Sequence, residues 1–206
     1  MKSKVYLAKL QDGAKASAQA EALGRAVEAA GFRSATSKKD MVAIKVHVGE
    51  DKNTTHIRPE LAARVVAMAH KAKAQPFITD TATLYRGQRE NAIRHTMLAR
   101  KQGFGIEKVG APFLPLDGLS GQHEVEVEID GELHRSVKIA GDVLLADGLV
   151  VISHVTGHIV SGVGAAIKNL GMGLASRAGK MRQHSTVAPS VIVSVCQSCG
   201  KCVGWC

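Results

Sequence analysis

Short apolar segments alternate with helix-like segments through the N-terminal half of the chain, and this alternation constrains the fold most. The predicted strands are rich in β-branched residues, and the predicted helices have typical boundary residues. Gly31 can close one helix in the left-handed conformation. The predicted elements are a strand at Val5–Ala8, a helix at Ala14–Ala30, a strand at Met41–Val48, a helix from Arg58-Pro59, a strand at Pro76–Asp80 and a helix at Arg89–Lys101.

This order of elements predicts an α/β fold, with a mostly parallel sheet and helices on both of its faces. Ligands of such sheets bind beyond the carboxyl ends of the strands. In this chain those ends fall at residues 47–56 and 79–86. We therefore expect a ligand site where these two stretches meet.

The pattern changes to strict alternation in the second half of the chain. Glu124–Ile129 and Glu132–Lys138 flank Asp130-Gly131, which predicts an antiparallel hairpin with a type I′ turn and a solvated row of glutamates. A short helix at Ile139–Leu145 and a buried strand at Gly148–Ser153 follow. The simplest division is one α/β domain at residues 1–190 and a cysteine module at residues 191–206.

The composition limits the classes of partner. The net charge of +9, from 27 basic and 18 acidic residues, indicates affinity for phosphates, carboxylates or an acidic protein. The charges are dispersed and aromatic residues make up only 3%, so we do not expect nucleic acid to be a partner. No apolar run has the length of a secretory signal or a membrane span, which predicts a cytoplasmic protein without membrane contact.

All four cysteines lie at the end of the sequence, in a C-x2-C-x2-C-x3-C run. This spacing is typical of bacterial ferredoxins, whose thiolates hold the irons of a 4Fe–4S cluster. A structural zinc site more often has two separated cysteine pairs, and disulfides this close together would be strained, although both remain alternatives. The predicted metal ligands are Cys196, Cys199, Cys202 and Cys206.

The last cysteine raises the question of a second cluster. In two-cluster ferredoxins the fourth cysteine of a run binds the other cluster, and a proline follows it. The sequence stops at Cys206 without that proline. The pattern therefore predicts a truncated ferredoxin-like module and two clusters in the full-length protein.

A second group of chemically useful residues follows the predicted strand at Gly148–Ser153. Exposed backbone N–H groups near Gly162 and Gly164 would suit an anion, and Lys168 lies in an apolar run where partial burial would lower its pKa. His158 and His184 are candidate acid–base groups or metal ligands. Each of these residues also has an ordinary structural interpretation, in turns, packing or hydrogen bonding.

Several motifs together resemble one family over essentially the whole chain. They are Val46-His47-Val-Gly-Glu50, Asn53–Pro59, Thr79–Tyr85, Gly148–His154, Gly157-His158, Lys168–Gly173 and the cysteine run. The family is that of the uncharacterised Fe–S centre proteins, domain of unknown function family 362. The resemblance implies an α/β domain followed by a ferredoxin-like 4Fe–4S module, and it implies no particular reaction.

The spacing of His158, Lys168 and His184 is more distantly similar to the cofactor site of nickel-pincer lactate racemases. That resemblance implies a cofactor-tethering role for Lys168, proton transfer by His158 and ligation of a second metal by His184. Arg58 also resembles an Arg-Pro in those enzymes, and Gly162, Gly164 and Asn169 would then line the cofactor pocket. A second catalytic histidine has no match between Thr79 and Arg86, and racemases lack the ferredoxin module.

These observations favour an iron–sulfur protein that transfers electrons and has a small-anion or cofactor pocket in its α/β domain. Its expected partners are a redox protein or a small anionic substrate. The alternative is a non-redox racemase or isomerase acting on a small hydroxy acid, with a structural cluster. If the protein is an enzyme, an oxidoreductase is favoured over an isomerase.

Overall fold

The computed structural model of the protein describes residues 3–159, 161–184 and 190–204. Within those residues the α-helices are α1 (Ala16–Ala29), α2 (Pro59–Lys71), α3 (Ala92–Ala99), α4 (Ile106–Val109), α5 (Ala166–Gly171) and α6 (Arg177–His184). The strands are β1 (Met41–Lys45), β2 (Gln75–Thr79), β3 (Glu124–Glu128), β4 (Ser136–Ala140), β5 (Gly148–Val151), β6 (Thr156–His158) and β7 (Gly162–Gly164). A π-helical turn at Arg100–Phe104 follows α3, and a 3-10 segment at Gly141–Leu145 follows β4.

A parallel sheet in the order β2-β1-β5 confirms the predicted α/β class. Ile44 in the central strand lies opposite Ile78 on one side and Val150 on the other. The carboxyl end of β1 therefore lies between those of its two neighbours. Any ligand held by the ends of all three strands would sit above the end of β1.

The two faces of the sheet belong to separate hydrophobic clusters, because successive side chains of a strand point to opposite faces. Val42 and Ile44 pack with Val65 and Val66 of α2 in the larger cluster. Ala43 packs in the smaller cluster, with Phe77, Leu116 and Ala140. Helix α2 thus covers one face, and the end of the β3–β4 hairpin covers part of the other.

Three local predictions from the sequence are wrong. Val5–Ala8 is not a strand, and Val5 and Leu7 are largely exposed because neither has a strand to pair with. The type I′ turn is also wrong, since β3 and β4 are joined by residues 129–135 and Gly131 does not have a positive φ. Strand β5 is only half-buried, because among the described strands it pairs with β1 alone and forms an edge.

Two other sequence predictions are confirmed. Gly31 follows α1 with φ of 90°, the left-handed conformation expected after a helix end. The antiparallel hairpin forms, with Val127 opposite Val137. None of the described helices combines the length and apolar character that crossing a membrane requires.

Candidate functional site

A cavity of about 410 Å³ opens beyond the carboxyl ends of the parallel strands. Its lining comes from three stretches, residues 45–57, 80–89 and 153–184, which follow or lead away from β1, β2 and β5. This is the position at which parallel sheets hold ligands. The two loops singled out in the sequence, at 47–56 and 79–86, therefore meet in one cavity.

The side chain of Lys45, the last residue of β1, is almost fully buried at the base of this cavity. Its Nζ donates to Asp80 Oδ1 at 2.9 Å, to Asn169 Oδ1 at 2.7 Å and to the carbonyl of Val46 at 2.8 Å. Burial lowers the pKa of Lys45, while Asp80 opposes that effect. Because three acceptors use three N–H groups, the geometry requires the ammonium form.

Asp80 is the centre of the buried charges. Its second oxygen lies 3.5 Å from Nη1 of Arg89, and its first accepts the backbone N–H of Thr81 at 2.9 Å. Burial alone would raise the pKa of Asp80, but the attraction of the cations Lys45 and Arg89 outweighs it and holds that pKa well below its usual range. The carboxylate is therefore ionised throughout the neutral range.

Arg89 links this centre to the loop after β1. Its Nη2 donates to Glu50 Oε1 at 2.5 Å and to the hydroxyl of Tyr85 at 2.6 Å. The Tyr85 hydroxyl in turn donates to the same Glu50 oxygen at 2.5 Å. The carboxylates of Asp80 and Glu50 thus balance the charges of Lys45 and Arg89.

Two histidines lie near Asp80 in different settings. His95 of α3 is fully buried, with Nε2 at 3.7 Å from Asp80 Oδ2 and no hydrogen bond to either ring nitrogen among the described residues. Burial lowers the pKa of His95 to about 4. His47 faces the cavity, and its Nδ1 accepts the N–H of Gly49 at 3.0 Å, which leaves the ring proton of the neutral form on Nε2.

Lys180 of α6 also lines the cavity and is 7% exposed. Its Nζ donates to Thr81 Oγ1 and to the carbonyl of Ala175, both at 2.6 Å. Burial lowers the pKa of Lys180 to about 8, against the attraction of Asp117 and Asp80. Lys180 forms no ion pair with a carboxylate in the part of the chain that the structure describes.

The cavity brings together some of the residues proposed from the sequence. Lys168, His184, Gly164 and Asn169 all line it. Lys168 is exposed, so the expected partial burial in an apolar run is wrong, because the side of α5 that carries it faces solvent. Asn169 donates to the carbonyl of Ile152 at 3.2 Å and accepts from Lys45, and so fastens α5 to the strand ends.

The other proposed residues lie outside the cavity lining. Arg58 is exposed before α2, and Gly162 belongs to β7. His158 lies in β6, where its Nδ1 accepts the backbone N–H of Ser161 at 3.0 Å. The glycine-rich segment thus forms a β6–β7 hairpin before the six-residue α5, and anion binding at that helix start stays a prediction.

Cys196, Cys199 and Cys202 are free and exposed in residues 190–204, and Cys206 lies outside the described residues. Ser198 and Gly200 have positive φ values of 52° and 69°, so the chain turns sharply between the cysteines. Over the described residues, no three His, Cys, Asp or Glu side chains converge into a metal-binding group. The ferredoxin-like arrangement therefore remains a prediction.

The sequence reasoning named none of the four buried or nearly buried charged residues Lys45, Asp80, Arg89 and Lys180 as site residues, although Asp80 lies in the predicted stretch 79–86. A lysine ending the apolar strand Met41–Lys45 and an aspartate directly after β2 were available signals, because both follow from the rule on strand ends. Helix α6 offers no comparable signal, since five of its eight residues are polar or charged and Lys180 is one of three basic residues besides His184.

The family model "Domain of unknown function (DUF362)" matches residues 42–199. The chain belongs to this family. The match includes the three parallel strands, the cavity residues and two of the cysteines, so family membership covers the whole of the candidate site. No curated protein and no solved structure matches the chain.

Proposed function

We propose that this member of the family is an iron–sulfur protein whose α/β domain binds a small anionic ligand in the cavity at the strand ends. The observation that carries the proposal is the uneven charge of the cavity. Lys168 and Lys180 line it, and neither forms an ion pair within the described residues. An anion entering the cavity would supply the missing partner.

The remaining charges of the site support an anion rather than a cation. Lys45 and Arg89 are balanced by Asp80 and Glu50, so the buried centre is close to neutral. Beyond that centre the cavity adds Lys168 and Lys180, which form no ion pair with any described residue, and the neutral N–H donor of His47. In a partly enclosed site such donors bind carboxylate or phosphate oxygens well.

The size and polarity of the cavity favour a small ligand. Its volume of about 410 Å³ is at the lower end of the roughly 300–1,000 Å³ found for small-molecule sites. Leu84 and Met172 supply apolar surface, and Thr83 adds a hydroxyl group. This lining suits a compact carboxylate with a short carbon skeleton.

The cysteine run supports the iron–sulfur part of the proposal. Thiolates are the donors that Fe–S clusters use, and exposed cysteines in a sharply turning segment can reach a cluster. Cys196, Cys199 and Cys202 would hold three irons, and Cys206 would serve as a further ligand. When bound, such a cluster supplies one-electron chemistry, and a redox protein would then be the partner.

His47 favours a second candidate, an enzyme that moves a proton on a small hydroxy acid without redox chemistry. His47 lines the cavity with an exposed side chain, desolvation beside the cavity lowers its pKa, and its neutral ring offers an Nε2–H donor to a ligand. Incubation with lactate in heavy water distinguishes this candidate. Deuterium incorporation that persists in a Cys199→Ser variant would support it, and no incorporation would count against it.

Anion binding is tested by titrating the protein with acetate, lactate and inorganic phosphate in a calorimeter. Because a hydrogen bond to a charged group contributes about 1.5–3 kcal/mol, Lys180→Met should weaken binding roughly 10- to 100-fold. Lys108→Ala serves as the control, since this exposed lysine of α4 lies outside the cavity. Equal anion affinities of the wild type, Lys180→Met and Lys108→Ala would refute anion binding in this cavity.

The cluster is tested by anaerobic reconstitution, with iron and acid-labile sulfide measured beside the electron paramagnetic resonance spectrum of the reduced protein. Cys199→Ser should lower the iron content and remove the low-potential signal. Gln197→Ala, a change in the same exposed segment, should leave both unaltered. If the wild-type protein takes up no iron, the iron–sulfur proposal fails while the anion pocket stands.

A further inference from the structure

The two buried lysines of the cavity differ in how many of their hydrogens are used. Lys45 donates to three acceptors, one of them the carboxylate of Asp80, so its nitrogen has no free position. Lys180 donates to two acceptors among the described residues. A neutral amine has two N–H groups and a lone pair, so the surroundings of Lys180 satisfy the neutral form completely.

The direction of these hydrogen bonds is fixed by Thr81. Its hydroxyl donates to the carbonyl of Gly173 at 2.9 Å, so the same oxygen can only accept from Lys180. The carbonyl of Ala175 also only accepts. Among the described residues, the fourth tetrahedral position on Nζ of Lys180 is therefore left for a lone pair or for a proton, in a side chain that lines the cavity.

The electrostatic surroundings agree with this geometry. Asp117 and Asp80 attract a proton on Lys180, Lys45 and Arg89 repel it, and burial lowers the pKa to about 8. At pH 7 such a lysine has on the order of a hundredfold more free amine than an ordinary lysine with a pKa of about 10.4. Buried lysines of this kind act as nucleophiles toward carbonyl groups.

We infer that Lys180 is a covalent attachment site that forms an imine with a small carbonyl compound carrying a carboxylate, such as a 2-oxo acid. This inference rests on the proposed anion pocket and specifies its ligand class. The carboxylate would pair with Lys168 at the cavity rim, which has no ion pair in the described part of the protein. The carbonyl carbon would lie within reach of Lys180.

The reaction balances without a further reactant. The lone pair of Nζ forms a bond to the carbonyl carbon, and the π pair of the C=O bond moves to oxygen, which takes a proton. That oxygen leaves as water, with one hydrogen taken from Nζ and one proton taken from solvent, which leaves the protonated C=N bond, and no electrons pass to or from the protein. The protonated imine keeps one N–H, for which the carbonyl of Ala175 remains an acceptor.

The test is reductive trapping of the wild-type protein with pyruvate and sodium cyanoborohydride at pH 7, followed by peptide mapping. We expect one reduced pyruvate per chain, at Lys180, at least about tenfold above the label on any exposed lysine. Lys180→Arg should abolish this label, whereas Lys168→Met should retain Lys180 as the site with slower labelling. Label spread evenly over exposed lysines, or no label, would overturn the inference.

Peptide mapping of the wild-type protein shows whether pyruvate is attached at Lys180 even if the Lys180→Arg variant does not fold. Titration with lactate, which has the carboxylate but no carbonyl group, separates the two proposals. Lactate binding without pyruvate trapping would leave the anion pocket intact and refute the imine. Failure of both would refute the pocket itself.

Discussion

The cavity has two walls of opposite character. The inner wall, formed by Lys45, Asp80, Arg89 and Asn169, is mostly buried, and each charge has a partner. The outer wall, formed by His154, Thr156, Gly164 and Lys168, is mostly exposed, and Lys168 has no ion pair in the described residues. Both walls line the same cavity, but among the described residues every charge of the inner wall has an oppositely charged partner, whereas Lys168 of the outer wall has none.

This difference indicates a division of tasks. A buried charge that loses its partner is strongly destabilising, so the inner wall must hold its arrangement for the domain to fold. Exposed and unpaired groups contribute little to stability and are free to serve a ligand. Stability measurements should therefore separate the two walls, and the inner wall should show the larger effects.

Asp80→Ala should have the largest effect. It leaves Lys45 and Arg89 buried without the carboxylate between them, and breaking a buried pair in this way costs about 3–5 kcal/mol of unfolding free energy. Denaturant unfolding measures the loss. Asp130→Ala is the matched control, because this carboxylate is fully exposed in the hairpin connection. A loss below about 1 kcal/mol for Asp80→Ala would remove the distinction between the walls.

His95 should make the stability of the inner wall depend on pH. Its folded pKa of about 4 lies below the unfolded value of about 6.5, so its contribution is present above pH 6.5 and is lost as the pH falls toward 4. The stability advantage of wild type over His95→Gln should shrink by about 2–3 kcal/mol between pH 7 and pH 4. His154→Gln, on the exposed outer wall, should follow the wild-type pH curve. Parallel curves for His95→Gln and wild type would contradict the prediction.

The smallest effect compares two neighbours on α5. Asn169→Ala should cost about 1–3 kcal/mol of unfolding free energy, because it leaves a donor of Lys45 and the carbonyl of Ile152 without their partner. Lys168→Ala should change that free energy by no more than about 0.5 kcal/mol. Thermal and denaturant unfolding at pH 7 measure both. Equal losses of unfolding free energy in Asn169→Ala and Lys168→Ala would mean that the outer wall contributes as much to stability as the inner wall.

The sequence predicted the frame of the fold better than the site. Gly31, the β-branched run of β1 and the alternation around Val127 report local preferences, which need no distant partner. The failed strand at Val5–Ala8 shows the limit of such reasoning, since a strand requires a neighbour to pair with. The interpretation of residues 162–164 as the approach to a helix missed a strand for a related reason, because β7 forms only by pairing with β6 across a short hairpin.

The site depends on contacts between residues far apart in the chain. Lys168 and His184 were proposed from their residue types and from their spacing, and both line the cavity. The pair Lys45 and Asn169, separated by 124 positions, has no such local signature. Lys180 is chemically distinctive only because α6 brings it against Thr81, 99 positions earlier.

The sequence by itself determined the α/β class, the cysteine spacing and the excess of positive charge, because these depend on residue order and composition alone. Only the tertiary structure decided which partners surround each lysine in the part of the chain that the structure describes. Lys45 and Lys180 are the same residue type, yet one has three acceptors and the other two. The chemistry of a lysine is set by desolvation and by the groups around its nitrogen, and folding supplies both.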